Sequence, residues 1–228
     1  MLEGDTVESI AKRIDHTLLK PQASREQLVA LCHEAVTYGF RSVCVNPCRV
    51  REAAKLLRGS STLVCTVIGF PLGAATIRMK AAEALEAVES GAGEVDMVMN
   101  IGAAKDGDWN YVQEDIGAVV QAVAGRAVVK VIIETCLLTE TEKRRACSAI
   151  LAAGGDFVKT STGFAGGGAT VEDVRLLREC VGDKLQVKAS GGIGSYEGAR
   201  AMLEAGADRL GTSAGVAIMN GAAGSNAY

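Results

Sequence analysis

Lysine is rarely buried, because desolvating an ammonium is costly unless the group is paired or sheds its proton. A lysine in the middle of a strand therefore needs a partner or a task. Two occur in similar settings: Phe157-Val158-Lys159-Thr160-Ser161-Thr162-Gly163 and Leu185-Gln186-Val187-Lys188-Ala189-Ser190-Gly191-Gly192. Each is an alternating segment that runs into small residues and glycine. Alternation sends Phe157, Lys159 and Ser161 to one face and Val158 and Thr160 to the other. On an open antiparallel sheet a single such lysine would be solvated. If the two strands are neighbours in a sheet covered on both faces, two amines share one enclosed site, which favours a neutral, nucleophilic amine. The chemistry to expect is attack on a carbonyl to form an imine.

Other charges sit inside apolar strands: Asp96 in Glu94-Val95-Asp96-Met97-Val98, and Lys130 and Glu134 in Val128-Val129-Lys130-Val131-Ile132-Ile133-Glu134-Thr135. A carboxylate beside an amine can shuttle protons, so Asp96 is a candidate acid or base. Lys130 and Glu134 read as a supporting pair across the site.

The elements that must position these groups alternate along the whole chain. Val7 to Arg13 predicts a short helix, and His16 to Leu19 a first strand ended by Pro21. Ser24-x-x-Gln27 is a capping box opening a helix that runs to Gly39, and Thr139-x-x-Glu142 opens another that runs to Gly154. Strands are expected at 42–46, 63–70, 94–100, 128–135, 157–161, 185–190 and 208–213, with helices between them. Eight strands in strict alternation with helices point to a parallel sheet, either a closed barrel or a doubly wound open sheet, and the single (β/α)8 barrel is the reading adopted. No linker divides residues 1–228. The segment 219–228, glycine-rich and poor in apolar groups, is expected to be a flexible tail.

Composition narrows the function. The chain has 228 residues, and 48% hydrophobic content with only 4% aromatic residues suits alanine-, valine- and glycine-rich packing of helices on strands. A net charge of −3 without a basic run argues against a nucleic-acid surface. Apolar runs are too short to cross a bilayer, and the first fifteen residues lack a leader's apolar region, so a cytoplasmic protein is expected. Seven cysteines without a Cys-x-x-Cys pair, and two histidines without ligand spacing, predict structural thiols and no metal site.

In a barrel, chemistry sits at the carboxyl ends of the strands and phosphate sits in the loops after strands seven and eight. Ser190-Gly191-Gly192-Ile193 and Gly211-Thr212-Ser213-Ala214-Gly215 are small-residue turns at those positions, where free backbone N–H groups can surround an anion. Gly191, Gly192, Gly211, Thr212 and Ser213 are accordingly candidate phosphate contacts.

The motifs Ile14-Asp15-His16-Thr17-Leu18-Leu19, Val43-Cys44-Val45-Asn46-Pro47, Glu94-Val95-Asp96-Met97-Val98, Lys130-Val131-Ile132-Ile133-Glu134-Thr135 and the two lysine strands closely resemble the deoxyribose-phosphate aldolase family, in the same order from residue 14 to about 217. The resemblance implies class I, cofactor-free cleavage of 2-deoxy-D-ribose 5-phosphate to acetaldehyde and D-glyceraldehyde 3-phosphate. It assigns the Schiff base to Lys159 and proton transfer to Asp96 and Lys188, and it places Asp15, Thr17, Cys44, Lys130, Thr162 and Gly163 along the substrate. Some members carry a lysine where this chain has Phe164 and an arginine where it has Gly194, which puts the strength of phosphate recognition in doubt. Some also end on a tyrosine that moves the proton at C2 of the enamine, and Tyr228 is the matching residue. Small phosphosugars and aldehydes are the expected partners, and a homo-oligomer is compatible with the sequence. Two rivals stand beside this reading: another Schiff-base enzyme such as a transaldolase or keto-acid aldolase, and a catalytically silent sugar-phosphate binding protein.

Overall fold

The structure, a computed structural model, describes residues 7–222. Tyr228 and the rest of 223–228 lie outside the described residues. Eight parallel strands close into a barrel in sequence order: β1 Ile14–Leu18, β2 Ser42–Val45, β3 Leu63–Ile68, β4 Glu94–Val98, β5 Val128–Ile132, β6 Phe157–Lys159, β7 Gln186–Ser190 and β8 Arg209–Thr212, with β8 against β1. The strands are short and nearly all buried, as parallel strands covered on both faces must be. Their outward residues, among them Val43, Val64, Val95, Met97, Val129, Val131, Val158, Val187 and Leu210, pack in one continuous core under the helices.

Helices α1 Val7–Ala11, α2 Arg25–Tyr38, α3 Val50–Leu56, α4 Ile77–Glu89, α5 Ile101–Lys105, α6 Trp109–Val123, α7 Glu140–Ala153, α8 Val171–Val181, α9 Tyr196–Glu204 and α10 Gly215–Met219 surround the barrel. Both capping boxes form: Ser24 Oγ accepts from Gln27 N, and Thr139 Oγ1 accepts from Glu142 N. The α2 face Leu28, Leu31, Cys32 and Ala35 is buried, and α6 buries Val112, Ile116, Val119 and Val123 at helical spacing.

Three expectations need correction. The first strand begins at Ile14 rather than His16, because Asp15 is held inside by partners on β2, β7 and β8. The fourth strand ends at Val98 rather than Asn100, because Asn100 instead caps α5, its Oδ1 accepting from Ala103 N. Residues 219–222, expected in the tail, belong to the fold, and 223–228 lie outside the described residues. Met219 closes α10, Asn220 Nδ2 donates to the Tyr38 hydroxyl, and Ala222 N donates to Ala217 O. Among the described residues no helix is long and apolar enough to cross a membrane, and all seven cysteines are unpaired thiols.

Candidate active site

A strand that turns its apolar side outward to the helices leaves its other side for the barrel interior, and here that interior is charged. Asp15, Glu94, Asp96, Lys130, Lys159, Lys188 and Arg209 are all buried. The register brings them together, since Asp96 lies beside Lys130 on β4–β5 and Lys159 beside Lys188 on β6–β7.

Asp96 is the centre of the set. Its Oδ2 accepts from Lys159 Nζ and from Lys188 Nζ, each at 2.7 Å, and its Oδ1 accepts from Lys130 Nζ at 2.8 Å and from the Cys65 thiol at 3.2 Å. The two lysines therefore share one site as their spacing predicts, but with a carboxylate between them. Burial works to raise the Asp96 pKa, yet Lys130, Lys159 and Lys188 outweigh it and hold the carboxyl well below its usual range.

Lys188 is fixed twice, donating to Asp15 Oδ2 at 2.5 Å and to Asp96 Oδ2. Burial works to lower its pKa, but Asp15 and Asp96 hold it above the ordinary lysine value. It remains an ammonium with a proton to give. Asp15 in turn takes the Ser42 hydroxyl at 2.7 Å and Arg209 Nη1 at 2.8 Å. Burial opposes its ionisation, and Lys188, Lys130 and Arg209 overcome that and hold its carboxyl below the usual range, so its oxygens hold Lys188 in place.

The base of the barrel completes the set. Glu94 receives Lys130 at 2.6 Å and Arg209 at 3.0 Å, and both cations also face the Phe157 ring, the Lys130 amine 5.9 Å and the Arg209 guanidinium 5.4 Å from its centroid. Sequence reasoning singled out neither Arg209 nor a structural role for Glu94. Alternation could have found both, since Glu94 shares the inward face of Asp96 and Arg209 that of Gly211.

The expected pair of Lys130 and Glu134 does not form. Four residues along a strand span ~13 Å, which leaves Lys130 deep in the barrel and Glu134 at its mouth. There, with a left-handed backbone (φ 54°), Glu134 accepts from the Thr162 hydroxyl at 2.5 Å and from Thr162 N at 3.2 Å. Thr162 is thus tied to the loop after β5, and its Oγ1 also accepts from Phe164 N.

Beside the Asp96 cluster, and touching it through Cys65, lies an apolar patch of Leu19, Cys44, Cys65 and Val67 with Phe70 packed on it. Thr17 and Cys44 are register partners beside it, the Thr17 hydroxyl donating to Asp15 O. Phe70 meets Phe164 edge to face at 5.2 Å. These rings come from loops after β3 and β6, so the contact bridges the mouth above β4 and β5.

The loops proposed for phosphate are joined to each other. Thr212 Oγ1 donates to Ile193 O at 2.6 Å and accepts from Ala214 N. Gly191 and Gly192 have φ of 87° and 80°, with Gly192 exposed, and α9 starts just beyond with Ser195 as its cap. Gly163 stands beside them, its Cα 3.7 Å from where a Gly191 Cβ would be, and Ser213 is half-buried at the end of β8. Gly211 differs from the expectation, because it lies inside the barrel rather than in an anion loop. A side chain there would start 2.1 Å from Ser190 Oγ and 3.0 Å from Lys188 Cε.

Two groups of ligand atoms among the described residues are close enough to hold a metal, Cys44 with Cys65 and Asp96, and Asp15 with Cys65 and Glu94. Their carboxylate oxygens already receive Lys130, Lys188 and Arg209, which an incoming cation would have to displace.

The sequence pattern described as DeoC/LacD family aldolase matches residues 9–223. A deoxyribose-phosphate aldolase of Lysinibacillus sphaericus is 59% identical over 94% of this chain and 96% of its own length, and deoxyribose-phosphate aldolase 1 of Bacillus licheniformis is 60% identical over 93% and 95%. The solved deoxyribose phosphate aldolase of Aeropyrum pernix, described as a tetramer, superposes with a TM-score of 0.89 at 36% identity, covering 94% of this chain and 91% of that one. With a barrel, a charged interior and relatives that agree over nearly the whole length, this chain belongs to the DeoC/LacD aldolase family.

Proposed function

We propose that this chain is a class I aldolase that reversibly cleaves 2-deoxy-D-ribose 5-phosphate to acetaldehyde and D-glyceraldehyde 3-phosphate through a Schiff base on Lys159. The observation that carries this reading is the single Asp96 oxygen shared at 2.7 Å by Lys159 and Lys188. The activity named for the Lysinibacillus and Bacillus relatives supports it.

Three carboxylates, Asp15, Glu94 and Asp96, and four basic groups, Lys130, Lys159, Lys188 and Arg209, are buried in the interior. Lys159 meets one carboxylate, whereas Lys130, Lys188 and Arg209 each meet two or more. The Lys159 amine adds to the C1 aldehyde, and loss of water leaves an iminium that accepts electrons. Asp96, held ionised, takes the proton of the 3-hydroxyl as the C2–C3 bond breaks, releasing glyceraldehyde phosphate and leaving an enamine. Lys188 supplies protons, and hydrolysis of the protonated product frees acetaldehyde and Lys159.

In this reading Thr17, Cys44, Thr162 and Gly163 line the substrate and Asp15 and Lys130 hold the charged groups. Gly191, Gly192, Thr212 and Ser213 receive the phosphate on backbone N–H groups, and Gly211 leaves room inside the barrel. Tyr228 relays the proton at C2. We read residues 1–228 as one catalytic domain acting on small molecules in the cytoplasm as a homo-oligomer, the last point supported by the tetramer described for the Aeropyrum protein.

Borohydride reduction in the presence of acetaldehyde, followed by peptide mass mapping, tests the assignment. The expected result is ethylation at Lys159 and its loss in Lys159→Met. Labelling elsewhere, or none, overturns it.

A further inference from the structure

Ser190 has had no part in the site so far. Its hydroxyl is buried, with 1% of the residue exposed, and has no hydrogen-bond partner among the described residues. A buried hydroxyl left unpaired is destabilising by ~1–3 kcal/mol, so such an atom in an enclosed polar site calls for a partner that comes and goes.

Its position says where that partner sits. Ser190 is two residues beyond Lys188 on β7, on the same inward face and nearer the mouth by ~6.6 Å of strand rise. It pairs with Gly211 of β8, and its Oγ leans into the space that Gly211 leaves open. The point where a Gly211 Cβ would lie is 2.1 Å from Ser190 Oγ and 3.0 Å from Lys188 Cε. The hydroxyl is therefore beside the end of the Lys188 side chain. A second buried hydroxyl without a partner, Ser161, stands near this level, its Cβ 3.6 Å from where a Gly191 Cβ would be. Each of these hydroxyls thus lies two residues mouthward of a lysine, Ser161 beyond Lys159 and Ser190 beyond Lys188.

We propose that Ser190, helped by Ser161, holds the oxygen that leaves C1 as water when the iminium forms, and holds the water that returns in hydrolysis. This rests on the Schiff base at Lys159. In the forward step the nitrogen lone pair of the carbinolamine forms C=N as the C–O bond breaks. The oxygen keeps the bonding pair, takes one proton from the Lys188 ammonium and leaves as water. Lys188 becomes neutral and the iminium becomes the cation. Asp96 Oδ2 touches both nitrogens at 2.7 Å, so positive charge moves from one neighbour of that oxygen to the other and the charge of the cluster is unchanged. In hydrolysis a water held at Ser190 adds to C1 and returns its proton to Lys188.

Rapid-quench borohydride trapping with acetaldehyde, run beside thermal denaturation, tests the proposal on Ser190→Ala and Ser161→Ala. Losing one hydrogen bond to the departing oxygen should slow formation of the trapped adduct ~10-fold in Ser190→Ala, by less in Ser161→Ala, with the same final yield. Because neither hydroxyl is paired with a described protein group, both variants should keep or raise the wild-type Tm, which a hydroxyl bonded within the fold would not allow. An adduct formed by Ser190→Ala at the wild-type rate overturns the proposal, as does a rate loss accompanied by a lowered Tm. If wild type itself forms no adduct, it is the Schiff-base reading that fails.

Discussion

Asp96 organises the residue scale because one carboxylate touches three amines, so any change at one amine is felt by the others. Lys159, Lys188 and Asp96 were readable in the sequence for one reason: each is a charge at an inward position of an apolar strand. Arg209 and Glu94 obey the same rule but open their strands, where a charge looks like a solvated end. The false pair of Lys130 and Glu134 came from reading side-by-side charges on one strand face without allowing for strand rise. At the mouth, Phe164 is an uncharged side chain that is 44% exposed. Phe164→Lys should add a screened cation worth ~0.5–1 kcal/mol. The expected result is a Michaelis constant for deoxyribose 5-phosphate lowered roughly two- to fivefold, with that for free deoxyribose unchanged. Equal effects on both substrates in steady-state assays would count against phosphate lying near this position.

Among the elements, helix starts were the most readable, since both capping boxes pair a side chain with a backbone N–H three residues on, a local relation. Helix α5 was not, because five residues, one of them Gly102, carry too little periodicity. A different device holds the loops after β3 and β4. Lys80 of α4, on the same face as Ala84 and Ala87, donates to Asp115 of α6 at 2.5 Å and to Val98 O at 2.9 Å. Asp115 also accepts from Asn100 N, and Glu83 accepts from Gly69 N at 2.7 Å. Burial drives the Lys80 pKa down and the Asp115 pKa up, against the attraction between them. Lys80→Met should therefore lower the unfolding free energy by ~3–5 kcal/mol by stranding a buried carboxylate, and Asp115→Leu added to it should restore much of the loss. Urea denaturation measures this, and a double variant no more stable than the single one would contradict it.

On the scale of the whole molecule, the interior charges set the response to pH. Asp15 is held below its ordinary value of 3.8, so its contribution to stability is fully present above that pH and is lost only as pH falls through the lower folded value. Lys188 is held above 10.5, so its contribution is present below that pH and lost as pH rises through the folded value. Arg209→Met should thus reduce Tm by an amount that is constant between those limits and shrinks only in stronger acid. Calorimetry showing the difference already shrinking near pH ~6 would mean that Asp15 is not held low. The chain beyond Ala222 is tested separately: Tyr228→Phe should slow acetaldehyde C2 proton exchange while Lys159 is still trapped, and unchanged exchange removes the relay. The ring itself was readable because eight alternations recur without a break, whereas the partners of Asp15 were not, lying 173 and 194 residues away at Lys188 and Arg209. That separation has a meaning for biosynthesis. A nascent chain that has released β1 to β6 from the ribosome already carries Lys159 and Asp96, but neither Lys188 nor Arg209, two of the three cations that hold Asp15 ionised. Contacts so distant in sequence form late, so an incomplete ring would enclose an unbalanced anion, and the working site comes into being in the same event that closes the barrel.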